Sequence, residues 1–161
     1  MLIKILIAGD GGQGVQTIAQ ILAQAIFKSG FYTSLIPNYG LEQRGGMSLA
    51  YLQISDQQIA YPRFSCPDYL FLMSEQARPR VEQYLSKSQR IIETEKYLDL
   101  LKEKNLPFLS YNLLVLGMIT KILFEQNIVS LESVKAEIEE KLKNKPGFED
   151  NLKVFEISVN L

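Results

Sequence analysis

What most constrains this 161-residue chain is a short apolar run that breaks into a cluster of glycines and restarts as a helix. From Leu2 to Ala8 only Lys4 interrupts the apolar residues, the pattern of a strand covered on both faces inside a sheet. Gly9-Asp10-Gly11-Gly12-Gln13-Gly14 follows. Beyond it Val15, Ile18, Ala19, Leu22, Ala25 and Ile26 recur at helical spacing, with Gln16, Gln20, Gln24 and Lys28 on the opposite side. Ser29-Gly30 stops that helix, and Tyr32 to Ile36 gives a second β-rich run ending at Pro37-Asn38. Strand, helix and strand within about thirty residues make a βαβ unit.

The pattern continues in the same style. Met47 to Ile54 reads as a third strand, closed by the polar turn Ser55-Asp56-Gln57-Gln58, with Ile59 to Tyr61 pairing back as a short hairpin strand. Tyr69 to Met73 is another buried strand, Val81 and Leu85 carry a weak helical signal, and Ile91-Ile92 a short strand. Tyr97 to Lys104 reads as a short helix and Asn112 to Gln126 as a longer one, apolar on most sides. Leu131, Val134, Ile138 and Leu142 mark one face of a final helix, which Lys145-Pro146-Gly147 breaks; the tail from Phe148 to Leu161 is given no assignment. No repeat, low-complexity tract or linker interrupts residues 1–161, so one α/β domain with a mostly parallel central sheet and helices on both faces is predicted.

Composition narrows the chemistry. There is no histidine, which removes Ser-His-Asp and Cys-His nucleophiles and every zinc site built on imidazole. The single cysteine, Cys66, cannot form an internal disulfide, a thiolate zinc cage or the ligand set of an iron–sulfur cluster. No catalytic residue and no metal site is therefore expected in this chain. A net charge of -1 offers no positive field for a phosphate backbone, so nucleic acid is not the expected partner. The start lacks the features of a secretory signal, and Leu113 to Ile119 falls short of the roughly 20 apolar residues of a bilayer span; a soluble, cytoplasmic protein with no membrane contact is expected.

Two loops carry the candidate sites. Gly9, Gly11, Gly12, Gln13 and Gly14 fit G-x-G-x-x-G in its required place between a strand and a helix, where backbone N–H groups and the helix dipole suit a phosphate. A tight turn packed on neighbouring chain fits the same residues. A nicotinamide site also wants an acidic residue at the end of the second strand, where Pro37 and Asn38 stand, which disfavours a dehydrogenase. Gly9-Asp10-Gly11 followed by Asn38 also mimics a thiamine diphosphate motif, in a chain too short for both halves of such a site. The second loop, with Tyr39, Gly40, Glu42, Arg44, Gly45 and Gly46, sits at the carboxyl end of the second strand, where open α/β folds place ligands. Arg44 among glycines can approach a carboxylate or phosphate, or can simply be solvated together with Glu42. Cys66 is taken as structural and Asn112 as a helix N-cap.

The glycine loop with Val15, Thr17 and Ala19 after it, then Tyr39-Gly40, Glu42 and Arg44-Gly45-Gly46, resembles the gamma subunit of 2-oxoacid:ferredoxin oxidoreductases. The resemblance runs on through Ser48, Ile54-Ser55-Asp56 with Ile59, Pro67-Asp68, Asn112 with Leu116-Gly117, and Asn151 with Phe155. Leu41 departs from the proline common there, and Thr94 to Ser110 is shorter than usual. The resemblance implies a Rossmann-like three-layer domain, inactive alone, within an enzyme that decarboxylates a 2-oxoacid oxidatively, reduces ferredoxin and makes an acyl-coenzyme A. It places thiamine diphosphate, Mg2+ and 4Fe-4S clusters in alpha, beta and delta partner subunits or their fused equivalents, with coenzyme A as cosubstrate. Both loops would then pack beside the catalytic subunits, with Arg44 reaching an anionic group of substrate or coenzyme A. An independent nucleotide- or coenzyme A-binding module is the alternative. The residues do not distinguish pyruvate, 2-oxoglutarate, branched-chain 2-oxoacids and arylpyruvates.

Overall fold

A computed structural model describes residues 1–39 and 46–161. Its elements are β1 (Leu2–Asp10), α1 (Val15–Lys28), β2 (Tyr32–Tyr39), β3 (Met47–Ser55), β4 (Tyr69–Leu72), α2 (Arg78–Leu85), β5 (Arg90–Glu93), α3 (Leu98–Glu103), α4 (Tyr111–Glu125), α5 (Leu131–Leu142) and α6 (Phe148–Ser158). The strands form one sheet in the order β2-β3-β1-β4-β5. β1 runs parallel to β4, and β4 to β5, while β3 is antiparallel to both β1 and β2. Four strands thus point one way and β3 opposes them, so the sheet is mixed, with two parallel and two antiparallel pairings. The insertion of β3 separates the two strands of the βαβ unit, a detail hydrophobic periodicity does not carry.

Alternation along β1 divides the core. Ile3, Ile5 and Ile7 join α1, α4, α5 and α6 in the larger cluster, whereas Leu6 and Ala8 face α2 through Leu49, Leu70, Leu72 and Val81. The helical layers are therefore unequal: one face carries most of the helices, and the other carries α2 and the extended stretch around Phe64. Phe71 and Phe155 are fully buried in the larger cluster, and truncating either to alanine costs about 3–5 kcal/mol. At Gly117, α4 comes so close to α6 that a side chain would meet Ser158 and the Phe155 carbonyl. Ser158 Oγ donates to Phe155 O at 2.8 Å.

One expectation needs correction, and one unassigned stretch gains a structure. Ile59 to Tyr61 form no strand; the Gln53 side chain instead donates to Tyr61 O at 2.8 Å, closing the stretch against β3 by a side-chain bond. The unassigned tail is the helix α6. Its signal was present, since Phe148, Leu152, Phe155 and Val159 recur at helical spacing after the Pro146-Gly147 break, and all four pack in the larger cluster. The apolar segment Phe108–Glu125 has the length and composition of a membrane span, yet 56% of it is buried inside the molecule, as befits a core helix. Glu137, an almost fully buried carboxylate on α5, is paired with Lys28 of α1 at 2.5 Å, which ties those two helices together.

Candidate functional site

β1, β2, β4 and β5 all end on the same edge of the sheet, so the residues after each gather there. The glycine loop after β1 folds onto itself and its neighbours. Asp10 N–H donates to Gln13 Oε1 at 2.8 Å and Gln13 N–H to Asp10 O at 3.1 Å, while Gly11 N–H donates to Gly46 O at 2.6 Å. A Cβ at Gly9 would lie 2.6 Å from Gln13 Oε1, and one at Gly11 would lie 2.5 Å from the Gly46 carbonyl oxygen. Gly14 has φ 79° and meets the Asn112 side chain, so both its conformation and its neighbour require glycine. Gly12, at φ 89°, is the exception: it is exposed, with nothing near its missing side chain.

This arrangement bears on the two fits of the G-x-G-x-x-G pattern. In a phosphate cradle the loop N–H groups point at the anion. Here those of Asp10, Gln13 and Gly11 are engaged inside the chain. The Asp10 carboxylate, moreover, belongs to the same turn and accepts from Ser74 Oγ at 2.7 Å. These contacts are those of a turn packed within the chain.

The thiamine-like pair fails on distance. Asp10 pairs with Met47 and Asn38 with Leu49, which places them across two strand spacings and two residues along. Their Cα atoms are then roughly 12 Å apart, too far for both side chains to hold one Mg2+ at about 2.1 Å. Asn38 instead faces a small cavity with Tyr51, Arg80 and Gln83.

Hydrogen bonds lock the strand ends together beneath the loop. Tyr111 OH donates to Met73 O at 3.0 Å, and Thr94 Oγ1 stands 2.6 Å from the same hydroxyl and 3.2 Å from Leu72 O. Burial pushes the Tyr111 hydroxyl pKa up, against a smaller lowering from Thr94. Ser74 Oγ also accepts from Ala77 N–H, starting the turn that leads into α2. On the other side, Gln16 Nε2 donates to Ser48 Oγ at 2.9 Å and to Leu49 O at 2.7 Å, fastening the first turn of α1 to β3.

Among the predicted residues, the structure brings Gly9, Gly11, Gly12, Gln13 and Gly14 together with Gly46, and places Tyr39 exposed at the end of β2. Gly40, Glu42, Arg44 and Gly45 lie outside the described residues. Asn112 was taken as a cap, but Ser110 occupies the cap position, and Asn112 sits inside the first turn of α4 against Gly14. Ser74, Thr94 and Tyr111 were not foreseen. Only contacts between distant segments reveal them, and no local spacing signals those contacts.

Residues 4–111 match the pyruvate ferredoxin/flavodoxin oxidoreductase family, which takes in β1 from Lys4, the glycine loop, β2 to β5 and the first residue of α4. The chain belongs to this family. Its relatives in the family include the pyruvate synthase subunit PorC of Methanocaldococcus jannaschii, 34% identical over 99% of this chain and 96% of that one. The 2-oxoglutarate synthase subunit KorC of Methanothermobacter marburgensis is 45% identical, over 46% of this chain and 40% of that one. The matches to the first curated relatives span less than half of those relatives' length. Among solved structures, a keto/oxoacid ferredoxin oxidoreductase gamma subunit from Geobacter sulfurreducens superposes with a TM-score of 0.70 at 20% identity, covering 98% of this chain and 96% of that one. A 2-oxoglutarate:ferredoxin oxidoreductase from Magnetococcus marinus gives a TM-score of 0.80 at 15% identity; it covers 99% of this chain but 30% of that one. At those identities the solved structures bear on the fold alone.

Proposed function

We propose that this chain is the gamma-type subunit of a multi-subunit 2-oxoacid:ferredoxin oxidoreductase in the cytoplasm, inactive alone. The complex would oxidatively decarboxylate a 2-oxoacid to an acyl-coenzyme A and pass the electrons to ferredoxin. The observation that carries this reading is the match to PorC of M. jannaschii over nearly the whole of both chains. The residue inventory supports it, since a chain with no histidine and one cysteine cannot supply the ligands of an iron–sulfur cluster. Thiamine diphosphate, Mg2+ and 4Fe-4S clusters are assigned to the alpha, beta and delta partners or their fused equivalents, and coenzyme A to the complex as cosubstrate. This chain's part is scaffolding. The interlocked strand ends hold the glycine loop rigid, so that Gly12 and the loop from Tyr39 to Gly46 can be presented to a neighbouring subunit. Arg44 is assigned to an anionic group of substrate or coenzyme A there.

Anaerobic affinity purification of the tagged chain from its native cells tests this reading. Larger chains carrying thiamine diphosphate and iron, with coenzyme A-dependent viologen reduction on one of the 2-oxoacids, are the expected result. A lone, cofactor-free chain would overturn it. In the purified complex, Arg44→Ala is expected to raise the KM for coenzyme A or for the 2-oxoacid at least several-fold; unchanged saturation and turnover would remove Arg44 from the proposal.

A further inference from the structure

The sheet ends at β5, and no strand among the described residues pairs with its outer edge. Arg90 N–H donates inward to Asp68 O and Thr94 N–H to Leu72 O, both at 2.9 Å. Alternation along the strand then turns the N–H and C=O groups of Ile91 and Glu93 outward, and both residues are exposed. Beside this edge, on the face shared with α4, lies an open cleft of about 370 Å³. Its apolar wall is formed by Ile92, Met118 and Ile122, and Arg90, Lys96 and Lys121 stand around it against one acidic side chain, Glu125. None of the three cations is ion-paired among the described residues. Lys96 Nζ rests 5.2 Å above the ring centre of Tyr97.

Within the cleft three cations with no ion-pair partner among the described residues outnumber the Glu125 carboxylate, while Glu93 of β5 is paired with Arg78. An extended peptide laid along β5 would hydrogen-bond to Ile91 and Glu93, and every second side chain would point into the cleft. The other edge strand, β2, is less suited, because Pro37 has no N–H to give.

We infer that the β5 edge and its cationic cleft accept an extended acidic segment of a partner subunit, which adds a sixth strand to the sheet. This rests on the subunit reading above and names the surface and the chemistry of the contact. Alternate residues of the segment supply carboxylates to Arg90, Lys96 and Lys121 and apolar contacts to Met118 and Ile122.

Hydrogen exchange with residue-level readout, on the chain alone and in the complex purified from native cells, tests the inference. In the free chain the Ile91 and Glu93 amides are expected to exchange fast while Ile92 and Thr94 are slow; in the complex Ile91 and Glu93 should slow at least tenfold. Lys96→Glu with Lys121→Glu should weaken reassociation about tenfold at low salt, and less at high salt, with the melting temperature of the free chain unchanged. An assembled complex in which Ile91 and Glu93 stay fast, or in which the charge reversal changes nothing, overturns the inference and leaves the subunit reading standing. Failure to recover any complex overturns both. Slowing of both amides in the free chain by inorganic phosphate or citrate alone would mark the cleft as a small-anion site and also overturn it.

Discussion

The glycine loop and the β5 edge lie on one sheet and have opposite character. At the loop several groups have partners in the chain: Gly11 N–H donates to Gly46 O, Gly14 lies against the Asn112 side chain, and the Asp10 carboxylate accepts from Ser74 Oγ. At the β5 edge outward backbone groups and three cations have none among the described residues. The glycine-rich motif thus makes close contacts within the chain, while a stretch with no recognisable motif leaves a sheet edge open. Glycines record how closely two backbones approach, and closeness to its own chain and closeness to a ligand leave the same letters in a sequence.

Of the two regions, the loop should respond more strongly to substitution. Gly14→Ala must hold a left-handed backbone angle and displace Asn112, and should destabilise the chain by roughly 2–4 kcal/mol in urea unfolding. Adding Asn112→Ala should recover the steric share and leave about 1–2 kcal/mol from the backbone angle; two costs that simply add would show that the contact is not the reason for the glycine. Gly12→Ala, whose site is open, should cost only that backbone share.

Ionisation gives an intermediate effect. Burial raises the hydroxyl pKa of both Tyr51 and Tyr111 above the ordinary value near 10. In the unfolded chain these groups ionise at about 10, while in the fold they stay neutral. Stability is thus intact below that pH and falls above it, by at most about 1.4 kcal/mol per pH unit for Tyr111. Absorbance near 295 nm should show the Tyr51 and Tyr111 hydroxyls ionising only as the protein unfolds. A Tyr51→Phe or Tyr111→Phe variant that loses no absorbance change at the unfolding transition would show that the hydroxyl is not held neutral in the fold. The smallest effect belongs to the open region: Arg90→Ala and Lys121→Ala should each change the stability of the free chain by less than about 0.5 kcal/mol.

The sequence was legible where structure is periodic or locally punctuated. β1, the glycine break and α1 follow from an apolar run, a loop and a 3.6-residue repeat, and the observed bounds differ by only a few residues. The direction of β3 was not legible, because alternation is the same for parallel and antiparallel neighbours and only its register against Gly9 and Asp10 reveals it. The role of Asn112 escaped for a similar reason. An asparagine near a helix start suggests a cap, and its contact with Gly14 exists only after α4 has docked beside α1. The cationic cleft left no trace, since Arg90, Lys96 and Lys121 come from three different elements.

The position of β1 in the sheet has a consequence for how the molecule comes into being. Among the described residues it is the strand that joins the antiparallel pair β2–β3 to the parallel pair β4–β5, so the two halves meet through it. A ribosome makes it long before its second neighbour. At about 5–20 residues per second, the chain from Asp10 to Leu72 takes roughly 3–12 s to appear. For that interval one of the most apolar segments of the protein is exposed along one side, and chaperone capture should concentrate there.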